Sequence, residues 1–341
     1  MVSFSGDKEM MYKANFCLRT AIRILKPIKH FTAGNADEVY NAVKEIAWED
    51  YLTPEGSFAV DAVVFSDEFR HSKFVAYRVK DAIVDYFREK TGKRPSVRIN
   101  NPDLSLNIHI AQDHCTLSLD SSGESLHRRG YRQEAVEAPL NEVLAAGMIL
   151  LTGWHGECDL IDPMCGSGTI PIEAALIAKN RAPGLNRSFA AQHWAMVDKR
   201  IWLDAADEAM DNEFHDKTYE IWGGDIDPHA VEIARHNAEL AEVDDTVRFE
   251  VDDATRFHWG GQYGRVVTNP PYGERLLEQK EAEELYRAFG RAVDKLPETW
   301  RVYVLSSHTE FERCFGRAAD KKRKLYNGML KCDLFMYGKR L

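Results

Sequence analysis

Apolar positions along this chain fall into two rhythms. In roughly the first 130 residues, alternating stretches are interleaved with amphipathic helical ones. Val39, Val43 and Ile46 recur at helical spacing, with Asn35 or Asp37 placed to cap the helix. Phe58 to Val64 reads as a strand. Ser72 to Thr91 reads as a helix, because Val75, Val79, Ile83 and Phe87 stand four apart and Gly92 closes it. Ser96 to Ile99 starts a strand, and Leu104 to Ile110 and His114 to Asp120 alternate. Residues 1–30 leave two options open, a strand ending before Pro27 or a short helix. The pattern is that of a small α+β module ending near Arg132.

Beyond it, short apolar strands alternate with helices. Strands are expected at Asp159–Asp162, Tyr219–Asp225, Val247–Val251, Arg265–Thr268 and Arg301–Ser306. Helices are expected through Ile172, Ala175 and Ile177, over Pro228–Leu240 and over Glu281–Leu296. Lys324 to Lys339 reads as a hairpin turning at Asn327-Gly328. Residues 181–218 read as an insertion of helices and loop. This alternation predicts a Rossmann-like α/β domain: a seven-stranded doubly wound sheet with a terminal hairpin and right-handed crossovers.

Composition narrows the picture. A length of 341 residues suggests two domains, and 44% hydrophobic content is ordinary for a packed core. No apolar run approaches a membrane span, and no basic-then-apolar start marks a secretory signal. The six cysteines are scattered without a C-x-x-C pair, so they read as reduced thiols in a cytoplasmic protein without a metal site. Net charge is −10, from 54 acidic and 44 basic residues. Nucleic-acid binding would therefore need local basic patches. Candidates are Arg128, Arg129 and Arg132, the run Lys321, Lys322, Arg323 and Lys324, and Arg70 with Lys73.

Two stretches carry chemistry. Asn269-Pro270-Pro271-Tyr272 ends a strand where two prolines force the backbone out of the sheet. That presents the Asn269 side-chain carbonyl and the Pro270 backbone carbonyl beside an aromatic ring. Two acceptors and a flat ring suit an exocyclic amine on a planar group. Asp162-Pro163-Met164-Cys165-Gly166-Ser167-Gly168 joins a strand to a helix, where open α/β sheets bind ligands. No lysine follows the second glycine, so it is not an ATP phosphate loop, and the third glycine of a dinucleotide fingerprint is missing. What remains suits an adenosine with a small charged tail. Asp162 is placed for an ammonium group, Asp225 for ribose hydroxyls and Asp253 for the adenine amine. Asp227 reads as a helix cap and Cys165 as a buried filler.

These runs, with Gly224-Asp225-Ile226-Asp227, Asp252-Asp253-Ala254 and Gly273-Glu274-Arg275, resemble the S-adenosylmethionine methyltransferases that carry a THUMP domain. The resemblance is strongest to the RlmL-type 23S rRNA guanine-N2 methyltransferases. Arg129-Gly130-Tyr131-Arg132, Ala138 to Glu142, and Lys321 to Gly328 fit it too, and it covers nearly the whole chain. It implies a partial ferredoxin-like segment at 1–29, a THUMP module at about 30–130 within an RNA-binding region 1–132, and a methyltransferase domain at 133–341. It implies cofactor contacts at Pro139, Leu140, Asp162, Cys165, Gly166, Gly168, Thr169, Asp225, Ile226, Asp253, Ala254 and Asn269. Family members carry a fuller ferredoxin-like region, and the longest carry a second methyltransferase domain after this one.

The expected reaction is in-line methyl transfer from S-adenosylmethionine to the guanine N2 amine in RNA, oriented by Asn269 and Pro270 and stacked on Tyr272. Glu274 and Arg275 are candidate supports. Other readings are a tRNA guanine target, a protein glutamine or DNA adenine target, and a non-catalytic RNA-binding assembly factor.

Overall fold

The computed structural model describes residues 2–69, 71–132, 139–273 and 276–338. Arg70, Ala138, Glu274, Arg275 and Lys339, named above, lie outside them. By contact density the chain splits into two compact units: Met1–Cys17, Ala21–Leu126 and Ser188–Glu208 in the first, and Leu18–Thr20, His127–Arg187 and Ala209–Leu341 in the second.

The first unit contains α1 (Lys8–Cys17), β1 (Leu25–Thr32), α2 (Ala36–Lys44), β2 (Ser57–Phe65), α3 (Ser72–Thr91), β3 (Ser96–Val97), β4 (Leu104–Ala111) and β5 (His114–Asp120). Its sheet runs β1-β5-β4-β2-β3. Of the two candidate caps for α2, Asn35 does the work, accepting from the Asp37 and Glu38 backbone N–H groups. The open choice at the start resolves as helix, then strand. β1 runs through Pro27 because it is an edge strand, and its register shifts between Pro27 and Lys29.

The second unit contains α4 (Glu142–Thr152), β6 (Asp159–Asp162) and α5 (Thr169–Ala178). After α6 (Lys199–Asp211), which begins in the returning segment 188–208, come β7 (Ile221–Asp225), α7 (Pro228–Leu240), β8 (Val247–Val251) and β9 (Gly264–Thr268). The chain then runs through α8 (Leu276–Val293), β10 (Arg301–Ser306), α9 (Phe311–Phe315), β11 (Lys321–Asn327) and β12 (Leu330–Tyr337). The sheet order is β11-β12-β10-β9-β6-β7-β8. β6 to β10 are parallel, and β12 pairs antiparallel to β10. Neighbouring residues on each strand enter opposite cores. Leu160, Ile221, Val267 and Leu305 pack with α4, α5 and α7, whereas Ile161, Trp222, Val266 and Val304 pack with α8 and α9. Both faces are thus covered, as a parallel sheet requires. α4 escapes the sequence reading, and α8 starts five residues earlier than expected. The Asn327-Gly328 turn closes the hairpin. Among the described residues, no helix is long and apolar enough to cross a membrane.

Candidate active site

The tips of β6, β7, β8 and β9 hold the acidic and amide residues singled out above. At the tip of β6, Asp162 is 1% exposed. Its Oδ1 accepts from the Thr268 hydroxyl at 2.6 Å and the Met164 N–H at 3.2 Å. Burial pushes this carboxyl up to about 7. The loop then turns tightly. Cys165 N–H donates to the Gly224 carbonyl, and Gly166 N–H donates to Asp225 Oδ2 at 2.9 Å. Gly168 precedes the first residue of α5 with φ +82°, and a Cβ there would stand 2.9 Å from the Ala234 Cβ and the Phe249 ring. Only glycine supplies that turn.

Asp225 ends β7 with its second oxygen accepting from the Asp227 N–H at 3.0 Å. Each carboxylate oxygen still has a lone pair for a further hydroxyl. Beside it Ile226 is 70% exposed, an apolar side chain free to cover a flat ring. Asp227 caps α7 with Pro228 following. After β8, Asp253 Oδ1 accepts from Thr255 N–H and Oγ1, and these bonds hold its carboxyl below the usual range. Ala254 is buried behind it.

Asn269 follows β9 directly. The Tyr272 hydroxyl donates to its Oδ1, and the Cys332 thiol lies 3.7 Å from that hydroxyl. Burial raises the Tyr272 phenol well above its ordinary range, so it stays a proton donor. Its ring is half-buried and packs in part against the core. The Thr268 hydroxyl joins this loop to Asp162, so the two candidate stretches meet through one hydrogen bond.

Residues 129–335 match the family described as RMKL-like, methyltransferase domain; residues 33–120 match the THUMP domain and residues 1–25 the RlmL ferredoxin-like domain. The chain belongs to the RMKL-like methyltransferase family. It is 42% identical over 348 residues to the Syntrophotalea carbinolica "Ribosomal RNA large subunit methyltransferase K/L", covering 98% of this chain and 48% of that protein. The chain thus spans about half the length of that relative. It is 38% identical over 341 residues to the Bacillus subtilis "Putative RNA methyltransferase YpsC", covering 100% of this chain and 88% of that one. The crystal structure of SMU.472 complexed with SAH superposes with a TM-score of 0.86 at 37% identity, over 98% of this chain and 89% of that one.

Within this RMKL-like domain, the sequence reading fails at two arginines. Arg129 and Arg132 are not an exposed RNA patch. Arg129 is 3% exposed and pairs through Nε with Glu173 Oε1 at 3.3 Å, while Glu173, fully buried, also accepts from the Tyr131 hydroxyl. Arg132 reaches the Leu140 carbonyl and the Thr169 hydroxyl, both at 2.7 Å, and Glu142 at 3.4 Å. Buried guanidinium groups need such partners. These bonds tie the segment carrying Leu140 to the first residue of α5. Leu140 and Cys165 are themselves core side chains, and burial raises the Cys165 thiol well above its ordinary range. Pro139 and Arg128 are exposed. Lys321, Lys322, Arg323 and Lys324 are exposed along edge strand β11, with Lys322 paired to Glu312 at 2.7 Å. Thr268 and Glu173 are the site-supporting residues that sequence reasoning missed. The threonine hydroxyl next to Asn269 is the one local signal that offered a hint.

Proposed function

We propose that this protein methylates the N2 amine of a guanine in RNA, in the large-subunit ribosomal RNA, with S-adenosylmethionine as donor. The observation that carries the reading is the Asn269-Pro270 acceptor loop at the tip of β9, joined by Thr268 to the carboxyl of Asp162 in the glycine turn. The residues fit the donor. The turn at Gly168 leaves no room for a side chain, three carboxyl groups stand at three strand tips, and an exposed isoleucine lies beside one of them.

Bound there, S-adenosylmethionine supplies a methyl group on a sulfonium. Asp162 receives the ammonium end, Asp225 the ribose hydroxyls and Asp253 the adenine amine. Asn269 Oδ1 keeps one lone pair for an amine hydrogen, because Tyr272 uses the other and fixes the amide orientation. The Pro270 carbonyl takes the second hydrogen, which aims the nitrogen lone pair along the transfer axis. No strong base is required: the amine attacks as a neutral nucleophile and loses its extra proton to water after transfer. The Tyr272 phenol holds its own proton throughout. An RNA substrate is supported by the THUMP match and by the names of the relatives. The target base must be unpaired or flipped out to reach the loop.

The test is a methyl-transfer assay with isotope-labelled donor on undermodified 23S rRNA, tRNA and genomic DNA, followed by mass spectrometry of nucleosides. N2-methylguanosine from 23S rRNA, lost in Asn269→Ala with SAH binding intact, is the expected result. Methylated adenine, or label confined to DNA or protein, overturns it.

A further inference from the structure

The acceptor loop is held from outside. Gly273 has φ +67°, and a Cβ there would lie 2.6 Å from the Gln279 Cα and 2.7 Å from the Glu278 carbonyl oxygen. The end of the loop therefore rests on the first turn of α8, where no side chain fits. Further along α8, the Tyr286 hydroxyl donates to the Pro271 carbonyl at 2.6 Å. Burial pushes that phenol up to about 12, so it keeps the proton it donates.

Gln279, Glu283 and Tyr286 are spaced four and three apart and so share one face of the helix. All three meet His308, which lies just past the end of β10, the strand beside β9. The His308 ring stands edge-on to Tyr286, with centroids 5.7 Å apart and planes at 81°. Its Nε2 is 3.6 Å from Glu283 Oε1 and 3.4 Å from the Gln279 side-chain amide. Its Nδ1 accepts the Glu310 backbone N–H at 3.1 Å, which leaves Nε2 as the ring nitrogen that faces Glu283 and Gln279. His308 is 8% exposed, and its backbone N–H donates to Ser306 Oγ.

We propose that Tyr286 and His308 are positioning residues for methyl transfer: His308, edge-on from the end of β10, fixes the Tyr286 ring, and the Tyr286 hydroxyl holds the Pro271 carbonyl so that Asn269 and Pro270 present their acceptors in one direction. This rests on the amino-methyltransferase reading above. In this role both act through the acceptor loop. With one peptide of a double-proline turn pinned, the carbonyl before it has little freedom to swing. An in-line transfer is sensitive to such a swing, since a displacement of about 1 Å can cost roughly a hundredfold in rate.

The experiment compares Tyr286→Phe, His308→Ala, His308→Asn and Asn269→Ala with the parent protein. Glu284→Gln, an exposed change on α8, is the control. Methylation kinetics on undermodified 23S rRNA give kcat and KM separately, and calorimetry gives SAH affinity. The expected result is a kcat lowered roughly ten- to a hundredfold in Tyr286→Phe and His308→Ala. KM for RNA and SAH affinity stay at parental values. His308→Asn, whose carbonyl can accept the Glu310 N–H, recovers much of the loss. Full kcat in Tyr286→Phe while Asn269→Ala is inactive overturns the positioning role and leaves the reaction assignment standing. A fall in SAH affinity in step with kcat also overturns it, because that marks a general loosening of the fold. Turnover retained in Asn269→Ala removes the underlying reading and this proposal with it.

Discussion

Under the proposed function, the buried carboxyl of Asp162 should make cofactor binding depend on pH in a calculable way. Its pKa is raised from 3.8 to about 7, first by burial, with the Thr268 and Met164 hydrogen bonds opposing. A ligand ammonium received by this group needs it ionised. Below pH 7, each pH unit should then weaken binding about tenfold, or about 1.4 kcal/mol. Between pH 8 and pH 5.5 the loss amounts to roughly thirtyfold. Asp253, held below the usual range, stays ionised across this window. The empty fold has the opposite dependence. Between about pH 4 and pH 7 the folded state holds a proton on Asp162 that the unfolded chain has released, so stability falls as pH rises. The shift of about three units corresponds to about 4 kcal/mol by the upper end of the window. SAH should therefore raise the thermal midpoint more at pH 8 than at pH 6. The assay is calorimetric titration of SAH from pH 5.5 to 8.5 on the parent, Asp162→Asn and Glu142→Gln. The last is included because burial also pushes Glu142 up to about 7. The parent and Glu142→Gln should share the slope, and Asp162→Asn should bind weakly with a flat profile. A flat parent profile, or a slope that disappears with Glu142 instead, refutes the assignment.

Gly168→Ala puts a side chain at φ +82° and 2.9 Å from Ala234 and Phe249; calorimetry should show at least a roughly tenfold loss of SAH affinity, since backbone strain alone is worth about 1–2 kcal/mol. Arg129→Ala strands Glu173 in the core and should destabilise the protein by roughly 3–5 kcal/mol in denaturant titration; if it weakens RNA binding with stability unchanged, the buried-pair interpretation is wrong. Replacing Lys321, Arg323 and Lys324 with Gln should flatten the salt dependence of RNA binding by about one unit of slope per phosphate contact removed, read by filter binding at several salt concentrations. An unchanged slope would make β11 merely a charged edge strand that discourages sheet-to-sheet pairing.

Both chemical stretches were legible because their signals are local. Two consecutive prolines end the strand before them, and a glycine turn after the short strand Asp159–Asp162 announces a strand-to-helix junction. Arg129 and Arg132 misled for the opposite reason. Their burial is decided by Glu173, forty-four residues from Arg129, and by a helix the pattern did not reveal. That helix, α4, is apolar on almost every side, so it has no polar face to mark a period. Pro27 argued against a strand only until the strand proved to be an edge. The return of 188–208 to the first unit depends on contacts rather than on any periodicity. The sequence reading singles out neither His308 nor Tyr286, because their relation to the acceptor loop exists only once β10 lies beside β9.

The sheet is laid down outward from β6 in two directions, β7 and β8 on one side and β9 onward on the other. Under the proposed function, residues for the methyl donor come from the first direction, and the acceptor loop with its hairpin from the second. Mutational drift in the second half would then retune which amine is accepted while the donor half is inherited intact. The exception is the Thr268–Asp162 hydrogen bond, the seam where the two halves are joined. Lineages that diverge in target should vary around β9 to β12, and should vary least at that seam.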